Sequence, residues 1–248
     1  MKIPKSHPRY ASLMARRSIE RGVRTGITSL GGLAAQGRGE AFDYLIGEKT
    51  TKSAKKSIEA AAALLFLAKN PVISINGNAA ALAPKELVEL SSSVPAKLEV
   101  DIFHASKGRE IRIKKHLIRS GAKKVLLPDK NTKIKYLESN RKYVNKEGIY
   151  RADVVFVPLE DGDRTEALVK NGKKVIVVDL NPLSRSARKA TITIVDNITR
   201  AVPLLIKTIK RYKKSNEIRL QKIIKGYNNK KMLKEALKEI NKNLGRSK

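Results

Sequence analysis

The chain has 248 residues, 41% of them hydrophobic, enough for one sizeable α/β domain or two small ones. It contains no cysteine, which excludes disulfides, thiolate catalysis and cysteine-based zinc sites, and its three histidines, His7, His104 and His116, are too scattered for a metal cluster. Lys plus Arg number 53 against 23 Asp plus Glu, a formal +30 that taken alone favours a nucleic-acid partner, whereas 4% aromatic content and no tryptophan leave few platforms for stacking on single strands.

In chain order, a helix is predicted over 8–22, with Leu13, Ile19 and Val23 turned inward and Arg16 and Arg17 side by side. Gly26, Gly31, Gly32, Gly37 and Gly39 follow closely, a spacing that predicts turns or close backbone approach. No strand precedes them, so a Walker-type phosphate loop is a poor reading. Residues 41–48 and 53–68 read as helices, the second alanine-rich with a broad apolar face. Its most apolar part, 60–68, falls short of the roughly 18 to 20 residues needed to cross a bilayer. The chain start also lacks the apolar run of a secretory signal, and the expectation is a cytoplasmic protein without membrane contact.

From Pro71 the period changes. Residues 72–75 read as a strand, Asn76-Gly77-Asn78 as a turn, and 79–90 as a helix restarting at Pro84. A second strand over 98–103, a helix over 109–120 and a third strand over 124–127 complete a β-α-β-α-β series, which predicts a parallel sheet with right-handed crossovers. Residues 129–148 are polar and lysine-rich without a period, and read as an excursion or flap. Then come three β-branched runs, 154–157, 175–178 and 192–195, with a helix over 164–170 between the first two. Such uniformly apolar runs are strands covered on both faces. A closing helix spans 197–213, which Pro203 either kinks or begins.

The expected fold class is therefore α/β: a Rossmann-like, mostly parallel sheet flanked by helices. It divides into a helical N-terminal region over 1–70, the α/β core over 71–213 and a basic helical tail over 214–248. From 206 to 248 there are fifteen basic and three acidic residues, a local +12. An apolar stripe from Ile218 to Leu244 at near-helical spacing must pack against the rest of the chain or a second copy.

The last three strands each end in a polar cluster, at the edge where open α/β sheets bind ligands. Asp179 and Asn181 follow one, Arg185 and Arg188 lie just beyond, and Asp196 and Asn197 close the next. Singly these are ordinary turn and N-cap residues. Together they offer carboxylate and amide groups for a ribose or base, and arginines for phosphate.

Several segments carry a closer likeness: Asp179-Leu-Asn-Pro-Leu-Ser-Arg-Ser186, Glu160-Asp-Gly-Asp-Arg-Thr-Glu-Ala-Leu168, Thr193-Ile-Val-Asp-Asn-Ile-Thr-Arg200, Ile3-Pro-Lys-Ser-His-Pro-Arg-Tyr10, Gly37-Arg-Gly-Glu-Ala-Phe-Asp-Tyr44 and Ser74-Ile-Asn-Gly-Asn-Ala79. They resemble, in order, the signature segments of the archaeal-type phosphopantothenate synthetases. The loop after 98–103 departs from that pattern, with Asp101, His104 and Ala105-Ser-Lys-Gly-Arg109 in place of the family's residues, which leaves any role carried to it open.

The resemblance implies an ATP-dependent ligase that joins 4-phosphopantoate to β-alanine, releasing AMP and diphosphate on the way to coenzyme A, and acting as a homodimer with magnesium. It implies nucleotide contacts at Arg16, Arg38, Asp179, Leu180, Asn181, Arg185, Ser186, Asn197 and Ile198, and contacts to the second anion at Asn76 and Asn78, with Arg185 and Asn76 nearest the chemistry. Asp161 and Asp163 are open between holding magnesium, orienting Arg164 and a plain turn role, and His104 between a base and a structural residue. The competing readings are a basic nucleic-acid-binding α/β protein and a dinucleotide oxidoreductase; no Gly-x-Gly-x-x-Gly follows a strand to support the latter.

Overall fold

The computed structural model describes residues 3–103 and 106–245. Three helices come first, α1 (Tyr10–Arg24), α2 (Leu30–Leu45) and α3 (Lys52–Phe66). The glycine-rich stretch, expected to turn, is helical from Leu30, with the Ser29 hydroxyl accepting a hydrogen bond from Gly32 N at 3.3 Å as its N-cap. Within the helix Gly32 serves close packing instead. A Cβ on Gly32 would collide with Asn78 Oδ1 and Thr28 Oγ1, and of the five only Gly26 takes a positive φ, +68°.

The sheet region runs β1 (Pro71–Ile75), α4 (Gly77–Leu82), α5 (Pro84–Ser93), β2 (Lys97–Val100), α6 (Lys107–Arg119), β3 (Val125–Leu126), the short β4 (Asp129–Lys133) and β5 (Tyr143–Val144), β6 (Val154–Pro158), α7 (Gly162–Lys170), β7 (Lys174–Val178), α8 (Arg185–Lys189), β8 (Ile192–Ile194) and α9 (Ile198–Tyr212). Then α10 (Glu217–Lys225) and α11 (Asn229–Leu244) follow. Six strands pair in parallel in the order β3-β2-β1-β6-β7-β8, as the α/β reading predicts. The order reverses between β1 and β6, where Ile73 lies opposite Phe156, and a crevice opens beyond the carboxyl ends of the strands at such a point.

Strand residues alternate between two cores, as a period of two requires. Ile73, Ile75, Phe156, Ile176 and Val178 pack with Leu65 of α3, Leu87 and Leu90 of α5 and Leu205 and Ile209 of α9. Val72, Val155, Val157, Val175 and Val177 pack with Leu168 of α7 and with Ile134, Val144 and Ile149. Each such side chain contributes roughly 1.5–3 kcal/mol on burial. The stretch predicted as an excursion or flap thus leaves the sheet as an antiparallel β4–β5 pair and returns to cover one of its faces.

A carboxylate pins that return. Glu99, buried on β2, accepts from Asn145 N and Ile149 N at 2.7 Å each, and a side chain at Gly148 would displace it. At the far end, α9 begins at Ile198 under an Asn197 cap and continues through Pro203, which therefore lies inside the helix and does not start it. α10 packs on α3, while α11 lies against α3, α2 and α8. Leu220, Met232, Leu233, Ala236 and Ile240 are the buried residues of the tail, so the middle of its stripe packs within the chain while Ile218 and Leu244 at its ends stay exposed.

Candidate active site

The carboxyl ends of β1, β6, β7 and β8 and the middle of α2 enclose a cleft of about 340 Å³. Ala35, Gln36, Arg38, Gly39 and Phe42 line it from α2, Asn78 from α4, Leu159 to Gly162 from the loop after β6, Asp179 to Asn181 from the loop after β7, Ser184 to Ser186 at the start of α8, and Asn197 and Ile198 at the start of α9. Every residue predicted for the nucleotide lines this cleft except Arg16.

The loop after β7 is held by its own side chains. Asp179 Oδ1 accepts from Asn181 N at 2.9 Å and Oδ2 from the Ser184 hydroxyl, while Ser184 also caps α8 by accepting from Ala187 N at 2.9 Å. Burial raises the pKa of Asp179 above its ordinary value, against the pull of Ser184, Asn181 N–H and the Arg38 charge. Asn181 Oδ1 accepts from Leu183 N at 2.9 Å, and the Ser186 hydroxyl donates to Glu160 O at 2.5 Å, tying α8 to the loop after β6. Ser186 thus acts on the cleft by shaping it.

The three arginines differ. Arg38 makes no hydrogen bond or ion pair with any described residue and faces the cleft opposite Asp179. Arg185 donates from Nε and Nη2 to Glu166 Oε2, at 3.1 and 2.6 Å, and its stem crosses Gly162, where a Cβ would collide with it. Arg16 lies off the cleft wall, donating to both oxygens of Glu40 at 3.1 Å, alongside Arg9 at 3.2 Å. Two of the three are therefore docked on carboxylates.

Asn76 departs from its predicted role in the same way. Its Oδ1 caps α4 by accepting from Ala79 N at 3.0 Å, and its Nδ2 donates to Pro158 O and Leu159 O at 3.2 and 2.8 Å. The side chain is absent from the cleft wall because these bonds hold it between β1 and β6. What it supports is notable: Leu159, in the wall, has φ +59°, a left-handed conformation that a branched side chain adopts only under constraint. Asn78 does reach the cleft, but its amide donates to Gly32 O at 2.8 Å and its Oδ1 accepts from the Thr28 hydroxyl, locking α2 to α4.

The segment 160–164 gathers charge. Arg164, 0% exposed, donates to Glu160 Oε2 at 2.7 Å and Ser74 Oγ at 3.1 Å and pairs with Asp101 at 3.0 Å. Arg141, also buried, is bonded to Glu160 and pairs with Asp161 and Asp163 at 3.0 and 3.3 Å. Both aspartates thus orient an arginine, although a different one from the neighbour that the sequence suggests. His104 lies outside the described residues.

A second ionic group fixes α2 to the sheet. Arg200 reaches Asp43 at 2.5 Å and Asp196 at 2.7 Å, Asn197 Nδ2 donates to Asp43 at 2.9 Å, and the Thr50 hydroxyl donates to Asp196 at 2.6 Å. Asn197 Oδ1 meanwhile caps α9, so both ends of its amide are engaged, with one N–H of Nδ2 left over among the described residues. The sequence reading missed Asp43, Arg141, Arg200 and Glu166. The spacing of four between Asp196 and Arg200, and between Glu160 and Arg164, is the one local signal that could have flagged these groups.

An open parallel sheet with an arginine-bearing polar cleft at its switch point defines an α/β protein of the kind whose ligand site lies at the carboxyl ends of the strands. The family described as Phosphopantothenate/pantothenate synthetase matches residues 53–243, and the chain belongs to it. A Methanosarcina mazei protein named 4-phosphopantoate–β-alanine ligase is 52% identical over 242 residues, covering 98% of this chain and 95% of its own. Proteins of that name from Thermococcus onnurineus and Thermococcus kodakarensis are 52% and 51% identical over 241 and 245 residues, covering 97% and 98% of this chain and 92% and 94% of theirs.

Proposed function

We propose that the protein is an ATP-dependent ligase that condenses 4-phosphopantoate with β-alanine to 4′-phosphopantothenate, releasing AMP and diphosphate, in coenzyme A biosynthesis. The observation that carries this reading is the gathering of Arg38, Asp179 to Asn181, Arg185, Ser186, Asn197 and Ile198 around one cleft, in a chain whose near-full-length relatives bear the ligase name.

The geometry suits the first half-reaction. A substrate carboxylate attacking the α-phosphate of ATP brings several negative charges together, and cations placed in advance lower that barrier. Arg38 is available as it stands, whereas Arg185 exchanges Glu166 for a phosphate oxygen. Leu180 and Ile198 offer apolar surface to the base, and Asp179, held by Ser184, faces the nucleotide as an acceptor. Asn76 acts through the Leu159 backbone, not on substrate. Arg16 joins once its Glu40 pair opens.

Among the described residues no three His, Asp or Glu groups converge as a metal cage, so the donor set fits a magnesium ion carried in on triphosphate oxygens. Bound there, it would neutralise phosphate charge. The reading also includes a homodimer and a cytoplasmic location, checked by light scattering and cell fractionation. The direct test is incubation with ATP, magnesium, 4-phosphopantoate and β-alanine: AMP and the amide appear in equal amounts if the reading holds. ADP in place of AMP, or no amide, overturns it.

A further inference from the structure

One wall of the cleft does not fit a triphosphate. Asp161 stands in it with a side chain largely open to solvent, and Glu160 adjoins. Behind them Asp101 and Glu160 are buried between Arg164 and Arg141, with Ser74 of β1 and Asp163 of α7 completing the surround. Four carboxylates against two guanidiniums leave an excess of negative charge here, beside the stem of Arg185 where it crosses Gly162. Such a wall repels phosphate and attracts a cation.

A second observation concerns hydrogen bonding. Asp101 is 3% exposed, yet its Oδ2 accepts no hydrogen bond from any described residue, although it lies 3.0 Å from Arg164 Nη1. Arg164 Nε and Nη2 and Arg141 Nε are likewise buried without an acceptor among the described residues. Groups left this way in a buried network are costly unless solvent or a proton carrier visits them.

We propose that this wall, Asp161 with the buried Asp101–Glu160 pair behind it, holds the ammonium of the amino-acid substrate and takes its proton. The assignment rests on the ligase reading and places the amine, for which that reading names no residue. The acyl adenylate needs a free amine, and β-alanine arrives protonated. Its ammonium passes one proton to the carboxylates. The freed lone pair forms the C–N bond as the acyl C–O bond breaks, AMP leaves with that electron pair, and the second N–H proton goes to solvent.

The electrostatics agree with the geometry. Burial pushes Asp101 up to about 7, with Arg164 opposing and Glu160 adding to the rise. Burial also pushes Glu160 upward, but Arg164 and Arg141 outweigh it and hold its pKa below the ordinary value. Burial raises Asp161 as well, against Arg141. Paired carboxyls whose affinities are driven apart are suited to receiving a proton near neutral pH.

The test uses the full chain and two readouts: amide formation, and 4-phosphopantoate-dependent exchange of labelled diphosphate into ATP, which requires no amine. For Asp161→Asn the ratio of amide formation to exchange should fall about 100-fold, the scale of lost proton transfer. Hydroxylamine, uncharged at neutral pH, should restore acyl capture. Asp101→Asn, nearly isosteric, should shift the acid limb of amide formation in the neutral range without shifting that of exchange. Absence of exchange in the unaltered protein defeats the ligase reading and this assignment with it. Exchange with an unchanged ratio in both variants, a parallel loss that hydroxylamine does not rescue, or a raised magnesium requirement for exchange at an unchanged ratio defeats this assignment alone.

Discussion

Arg164 and Glu166 stand two residues apart on α7 and face opposite environments. Arg164 is sealed among Glu160, Asp101 and Ser74, whereas Glu166 sits at the cleft rim, holding Arg185, Lys170 and Lys189 at 2.6, 3.1 and 3.3 Å, each of them about half exposed. The chemistry is the same and the depth is not. A buried guanidinium cannot leave its partners without stranding a charge. A solvated one gives up a carboxylate for a phosphate at little cost. The first kind can shape a site, and only the second can answer a ligand.

The comparison breaks most visibly at its buried end. Arg164→Met should lower stability by about 3–5 kcal/mol, read from the urea midpoint, because it strands Asp101 and leaves Glu160 to Arg141 alone. Next comes Glu99, whose pKa burial pushes up from 4.5 to about 7 against two backbone N–H bonds. A raised carboxyl pKa means that its stability contribution is complete below 4.5 and is lost as pH rises through about 7, a swing on the order of 3 kcal/mol. Glu99→Gln should flatten that slope even though it sacrifices a bond to Asn145 or Ile149, and an unchanged slope would clear Glu99 of the effect.

At the cleft itself, Arg38→Ala should reduce kcat/KM for ATP about 30-fold, or roughly 2 kcal/mol, with the urea midpoint unmoved. Asn76→Ala should cost about 1–2 kcal/mol by removing an N-cap and the support of Leu159, and should lower kcat more than it raises KM. The smallest effect belongs to the rim: Glu166→Gln should leave the urea midpoint where it is and lower KM for ATP about twofold at low salt, with the difference vanishing as salt rises. If Glu166→Gln destabilised the chain as much as Arg164→Met, depth would not be what separates the two groups.

The same contrast explains what was legible in the sequence. The strands announce themselves through uninterrupted apolar runs such as Val154 to Val157, and the polar residues at their ends are local features, so the cleft's floor could be read. The first part of α2 could not, because four glycines within it oppose helix propensity, and only contact with Thr28 and Asn78 reveals why Gly32 is needed. The clamp between Asp43 and Arg200 joins residues 157 apart, and no window of sequence shows it. The present partners of Asn76 and Arg16 were hidden for a related reason: the residue type was informative, but which neighbour claims the side chain is decided only after folding.

Leu180 carries one more consequence. This cleft residue is nearly buried because Ile46 and Ile240 back it, with Phe42 and Leu237 alongside. The last helix is therefore a brace behind one wall of the cleft, and its lysines, however solvated, ride on a structural beam. Trimming the chain before Ile240 would slacken nucleotide grip well before it unravelled the sheet, so a shortened form could look intact by circular dichroism and still fail at its work.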